Sequence, residues 1–167
     1  SFALTTSFTG PTYSVKMDAT RSGRQIYCVI TDKYGNSETT DTVTLYMTVA
    51  IKSQPSTGYA QMNKTVKVSV NATGLGLKYT WYIKNAGSTK YSKSSVTSSY
   101  YSTTMGTKSK DRRVYCVITD KYGKKVQTKT VILRESVSIT TQPKTTTVAK
   151  NKTAKVTVKA RGDGLKY

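Results

Sequence analysis

Apolar and polar residues alternate along much of the chain. Val66, Val68 and Val70 are separated by Lys67 and Ser69. Leu77, Tyr79, Trp81 and Ile83 are separated by Lys78, Thr80 and Tyr82, and Val114, Cys116 and Ile118 by Tyr115 and Val117, while Val131 and Leu133 flank Ile132. A period of two belongs to strands with one buried and one wet face. Turn signals part these runs: Thr73-Gly74-Leu75-Gly76, Asn85-Ala86-Gly87-Ser88 and Asp120-Lys121-Tyr122-Gly123, where glycine supplies positive φ. Gln54-Pro55 interrupts the first strand, because proline is tolerated only at an edge or a bulge. No segment sustains a 3.6-residue period. The pattern predicts an all-β chain with about seven short strands per unit, the layout of a β-sandwich.

The unit is repeated. Tyr27–Gly35 and Tyr115–Gly123 both read YCVITDKYG, at an offset of 88 residues. The same offset maps Gln54-Pro55 onto Gln142-Pro143, Asn63-Lys64-Thr65 onto Asn151-Lys152-Thr153, and Leu77-Lys78-Tyr79 onto Leu165-Lys166-Tyr167, without insertion or deletion. Three parts follow: the back half of one module at 1–46, a complete module at 47–134, and the front part of another at 135–167. Residue 1 aligns with Thr89 and residue 167 with Tyr79, so this frame is expected to be a window on a longer repetitive protein. The predicted core comprises Val68, Val70, Tyr79, Trp81, Cys116 and Ile118, with Cys28 and Ile30 as the counterparts in the other copy. Each copy holds one cysteine, so both thiols are expected to be free, buried and unable to reach disulfide distance.

Charge changes the picture next. The chain carries +19, from 27 basic and 8 acidic residues, and has no histidine. Residues 1–46 are neutral, with four of each sign; residues 47–134 carry sixteen basic and two acidic residues, and residues 135–167 seven and two. A field of this size attracts polyanions and also keeps modules apart. The candidate polyanion-binding residues are Lys108, Lys110, Arg112, Arg113, Lys121, Lys124, Lys125 and Lys129, with Tyr100, Tyr101, Tyr115 and Tyr122 near them in sequence. Their counterparts include Thr20, Ser22, Asn36, Ser37 and Asp41, which are neutral or acidic, so the cluster is not common to both copies. No phosphate-binding motif accompanies the charge, and no specific nucleic-acid partner is expected.

Little points to catalysis. Without histidine the commonest general base is missing. Only Asp32 and Asp120 coincide between copies, and both sit in turns, where aspartate bonds its own backbone. Clustered oxygens for calcium and His/Cys sets for zinc are absent from the sequence, so no metal and no cofactor are expected. Arg161-Gly162-Asp163 spells an integrin-recognition tripeptide in a predicted turn, but the other copy has Thr73-Gly74-Leu75 there. A Lys–Asn isopeptide link would need an inward-facing acid, and none is evident. No apolar run is long enough to span a membrane, and no secretion signal opens the chain.

The repeat resembles the bacterial immunoglobulin-like domains found in series in Gram-positive surface proteins. Val-x-Ile-x-x-Gln-Pro at Val49–Pro55 and Val137–Pro143, Leu77–Tyr82 with its Trp81, and Arg112–Gly123 carry the match. Val70 stands where antibody-type domains hold their first cysteine, and Val114 where they hold the corner tyrosine, a role left to the adjacent Tyr115 if it is filled at all. The resemblance implies tandem immunoglobulin-like β-sandwiches without a disulfide, on an extracellular bacterial cell surface. It also implies a stalk, spacer or fibre-forming role, with neighbouring copies of the repeat as partners. The alternative is an adhesin module for anionic glycans or cell-wall polymer.

Overall fold

Strand formation follows the alternation. The computed structural model describes residues 2–3 and 8–167. The chain divides into two units, residues 1–48 and 49–167, so the expected third part, 135–167, is grouped with the second unit. Among the described residues the ordered elements are all strands and turns, with no helix.

In the second unit the strands are β5 (Ala50–Ser53), β6 (Gly58–Ala60), β7 (Thr65–Ser69), β8 (Asn71–Thr73), β9 (Lys78–Lys84), β10 (Ser92–Lys93), β11 (Tyr100–Thr104), β12 (Arg113–Thr119), β13 (Lys125–Gln127), β14 (Val131–Glu135), β15 (Ser138–Thr141) and β16 (Lys159–Arg161). The first unit holds β1 (Arg24–Ile26), β2 (Val29–Thr31), β3 (Ser37–Thr39) and β4 (Val43–Leu45). One sheet of the second unit runs β10-β9-β12-β14-β6, with β13 also on β12. The pairs β7–β11 and β5–β8 supply a second layer, with Val70 the one residue between β7 and β8, its amide donating to the Ser99 carbonyl beside β11. The result is sandwich-like.

The core lies between these layers. Val66 and Val68 enter it from β7, with Lys67 and Ser69 turned to water. Val114, Cys116 and Ile118 enter from β12, and Val131 and Leu133 from β14. Trp81 stands opposite Cys116 in the β9–β12 register and is fully buried. Its indole N–H donates to the Ser98 carbonyl at 2.9 Å, so burying the ring leaves no polar atom unpaired. Val70 is buried beside them, and Tyr79 is half-buried against the same cluster. No disulfide forms: both cysteines are free.

The repeat is also visible in the backbone. Pairs Ala50–Thr73, Ile51–Ala72 and Ser53–Asn71 of β5–β8 recur, bulge included, as Ser138–Arg161, Ile139–Ala160 and Thr141–Lys159 of β15–β16. Pairs Val29–Thr39, Ile30–Glu38 and Thr31–Ser37 of β2–β3 recur as Val117–Gln127, Ile118–Val126 and Thr119–Lys125 of β12–β13.

Two predicted core residues are not buried. Cys28 is exposed, and Ile30 is 62 % exposed, whereas Cys116 and Ile118 are fully enclosed. The difference lies in the surroundings rather than in the residue. In the second unit β12 is flanked by β9 and packs against residues of β7 and β11, whereas among the described residues β2 pairs with β3 alone. Val156 and Val158, counterparts of Val68 and Val70, are exposed for the matching reason: among the described residues, no counterpart of β11 and β12 lies across from them.

Candidate functional site

The acidic residues are largely occupied by local structure. Asp120 is buried in the turn after β12 and accepts the amides of Tyr122 (2.9 Å), Lys124 (2.9 Å) and Val49 (3.1 Å). Asp32 does the same for Tyr34 and Asn36, and hydrogen bonds from Asn36 hold its carboxyl below the ordinary range. Among the described residues no three His, Cys, Asp or Glu side chains cluster as metal ligands. No helix of the described chain is long and apolar enough to cross a membrane.

The eight candidate cations do not form one site. Lys108, Lys110 and Arg112 lie before β12, while Lys121, Lys124 and Lys125 lie beyond its other end. A seven-residue strand separates them by about 20 Å. Lys129 follows β13, its amide bonded to Gln54 Oε1. Arg112 is a tether rather than a free cation. Its Nε donates to Asn85 Oδ1 at 2.7 Å, Nη1 to the Tyr101 hydroxyl at 2.6 Å and Nη2 to the Lys108 carbonyl at 3.4 Å.

Lys110 is engaged as well. Its Nζ lies 2.5 Å from Asp163 Oδ1 and 3.4 Å from Glu135 Oε2. Arg161 Nε reaches the other Glu135 oxygen at 3.1 Å. The Glu135 side chain is only 3 % exposed, so the sequence expectation that no acid turns inward fails here, as it does at Asp120. The hydrogen bond that Lys110 donates to Asp163 is the main cause holding its ammonium above its ordinary range.

A different grouping appears on the outer face of the β9–β12 sheet. Register sets Tyr82 opposite Tyr115 and Lys84 opposite Arg113, and the β10 register sets Lys93 opposite Tyr82. The Tyr82 and Tyr115 rings stack with centroids 5.1 Å apart. Tyr91 meets Tyr115 edge-on at 4.9 Å, and Lys84 Nζ stands 5.2 Å from the Tyr91 ring. Burial, with the neighbouring hydroxyls of Tyr82 and Tyr91, pushes the Tyr115 hydroxyl up. Tyr115 therefore builds no corner but belongs to a half-buried aromatic face flanked by exposed Lys93 and Arg113. Tyr100 and Tyr101 lie elsewhere, on β11: Tyr101 is buried, and Tyr100 carries Lys67 3.9 Å from its ring. Sequence proximity missed Tyr82 and Tyr91. Alternation does place Tyr82 and Tyr115 outward, but only the strand register brings them together.

No family of known proteins matches the chain, and no curated protein matches it in sequence.

Proposed function

We propose that the chain is a segment of tandem immunoglobulin-like modules serving as a stalk, spacer or fibre-forming element of an extracellular, bacterial cell-surface protein, with neighbouring copies of the repeat as its partners. The supporting observation is that strand pairings recur at identical registers 88 residues apart, from β5–β8 to β15–β16 and from β2–β3 to β12–β13. An element whose unit recurs without insertion can be lengthened without redesign, because each module depends mainly on its neighbours. Small-angle scattering of arrays with increasing repeat number tests it. A maximum dimension that grows by a constant increment per repeat is expected; a dimension that grows as a packed ball would refute the spacer role.

A second reading, binding of an anionic glycan or cell-wall polymer, is favoured by the outer face of Tyr82, Tyr91 and Tyr115 beside Lys84, Lys93 and Arg113. Aromatic rings stack on sugars while cations meet sulfate, phosphate or carboxylate groups. Binding to a sulfated glycan and to a teichoic acid polymer is the measurement, at fixed salt and with Tyr91→Ala. Weaker binding by the variant supports the face. Binding that is equal for both proteins, equal for single-stranded DNA and abolished near physiological salt would mean charge attraction alone.

A further inference from the structure

The chain leaves the complete module along a defined track. Glu135 ends β14 opposite Ala60, the Ser136 amide donates to the Ala60 carbonyl at 2.9 Å, and Gln61 Nε2 donates to the Val137 carbonyl at 3.4 Å. The turn after β16 then comes back onto this track. Gly162 has φ 147°, and a Cβ there would stand 3.2 Å from the Val137 Cα, a glycine seat internal to the repeat that recurs at Gly74 over Val49. Seating places Arg161 on one oxygen of buried Glu135, with Lys110 at the other; Lys110 also holds Asp163. Both charges of the Arg-Gly-Asp tripeptide thus have intramolecular partners, although the Arg161 and Asp163 side chains stay 50 % and 47 % exposed.

We infer that Lys110 and Glu135 form a docking surface whose partner is the Arg-Gly-Asp turn of the repeat that follows; Glu135, where the sequence division starts the next repeat, is the last residue of β14 and so belongs to the sheet of the complete module. The tripeptide is a joint between repeats rather than a receptor-facing sequence. Two cations and two carboxylates compensate one another, and the carboxylate least able to reach water receives a cation from each repeat. The surface is selective. The counterparts 88 residues earlier are Ser22 for Lys110, Met47 for Glu135, Thr73 for Arg161 and Leu75 for Asp163, none of them charged. A repeat with Thr-Gly-Leu in this turn offers Glu135 no cation and leaves Lys110 as its charged partner, so the charge pattern favours one following repeat over another. The inference rests on the reading of the chain as successive repeats but not on any mechanical role.

Hydrogen exchange on the intact 167-residue chain tests it. Two proteins are compared with the parent: Glu135→Gln, which keeps shape and removes charge, and the double change Arg161→Thr with Asp163→Leu, which installs the other copy's turn. Exchange of the amides at 159–164 is expected to rise about tenfold in both, since a charged hydrogen bond shifts a local opening equilibrium by roughly that factor. Amides of β9 and β12, and the fluorescence of Trp81, should not change, which establishes that the complete module is still folded. Unchanged exchange at 159–164 in both variants, or parent exchange there already as fast as in a free peptide, would overturn the joint while leaving the scattering test of the spacer role intact. An intact mass short by one water, meaning that Lys110 and Asp163 have condensed to an amide, would overturn its ionic form.

Discussion

Gly58 and Val66 offer a direct test of how the core closes. Gly58 lies on β6 beside β14, with an ordinary backbone conformation, and a Cβ there would meet Val66 Cγ2 at 2.7 Å, Val68 Cγ1 at 2.9 Å and Leu133 Cδ2 at 3.1 Å. Gly58→Ala gains roughly 0.4–1 kcal/mol by restricting the unfolded chain. It loses about 1–3 kcal/mol because short, stiff side chains must be pushed apart. The net expectation is destabilisation by about 1–2 kcal/mol. Val66→Ala removes two buried carbons, at about 0.8 kcal/mol each plus a cavity contribution, for about 2–3 kcal/mol. Made together, the changes let the new methyl enter the vacated space, so the double variant should lose at least about 1 kcal/mol less than the sum. The chain itself suggests this exchange: the counterparts of Gly58 and Val66 are Thr146 and Ala154, larger where the first is smaller and smaller where the first is larger. Denaturant unfolding followed through Trp81, the single tryptophan and fully buried, reports on this core alone. Additivity within about 0.5 kcal/mol, or a Gly58→Ala protein as stable as the parent, would refute the argument.

Other consequences can be measured alongside. Asp120→Ala strands three amides around a buried turn and should cost about 2–4 kcal/mol, whereas Asp32→Ala, at an exposed copy of the turn, should cost less; parallel melts compare them. A thiol reagent at neutral pH should modify exposed Cys28 quickly and Cys116 only on unfolding. Burial pushes the Cys116 thiol from 9.0 up to about 11, so the folded chain keeps a proton that the unfolded chain loses. Its contribution is therefore complete below about pH 9 and falls by up to about 2–3 kcal/mol as pH rises to about 11; a Cys116→Ala protein should lack that part of the slope.

Much of the fold could be read from alternation, because strands β7, β12 and β14 bury every second residue. Glu135 was within reach too: continuing Val131, Leu133 by one more step points it inward, and only its charge argued otherwise. The errors at Cys28 and Ile30 have a common origin. A strand pattern says which face seeks cover but not whether a partner strand supplies it, and identical YCVITDKYG segments end up enclosed beside β9 and exposed without it. The candidate cations are a different case. Residues close in sequence are not thereby close in space, and β12 carries Lys110 and Lys121 to opposite ends. The stacking of Tyr82 on Tyr115 depends on a register between strands more than thirty residues apart, which no local pattern encodes.

The surviving charge then takes on a definite meaning. Residues 47–167 hold twenty-three basic and four acidic side chains. The four acids are committed: Asp111 to Arg134, Asp120 to backbone amides, and Glu135 and Asp163 to Lys110 and Arg161. Only Lys110, Arg134 and Arg161 reach a carboxylate, which leaves twenty basic residues without one. Such a surface repels its own copies and attracts polyanions through the same field, and both effects weaken together as salt shortens the screening length to about 8 Å under physiological conditions. Charge alone therefore cannot make one polyanion preferred over another. Selectivity, where it exists, must come from uncharged geometry, and the described face with that geometry is the Tyr82–Tyr115–Tyr91 stack. A Tyr91→Ala change that weakens glycan binding without altering its salt slope would separate recognition from the field around it, whereas a Lys93→Glu change should alter the slope.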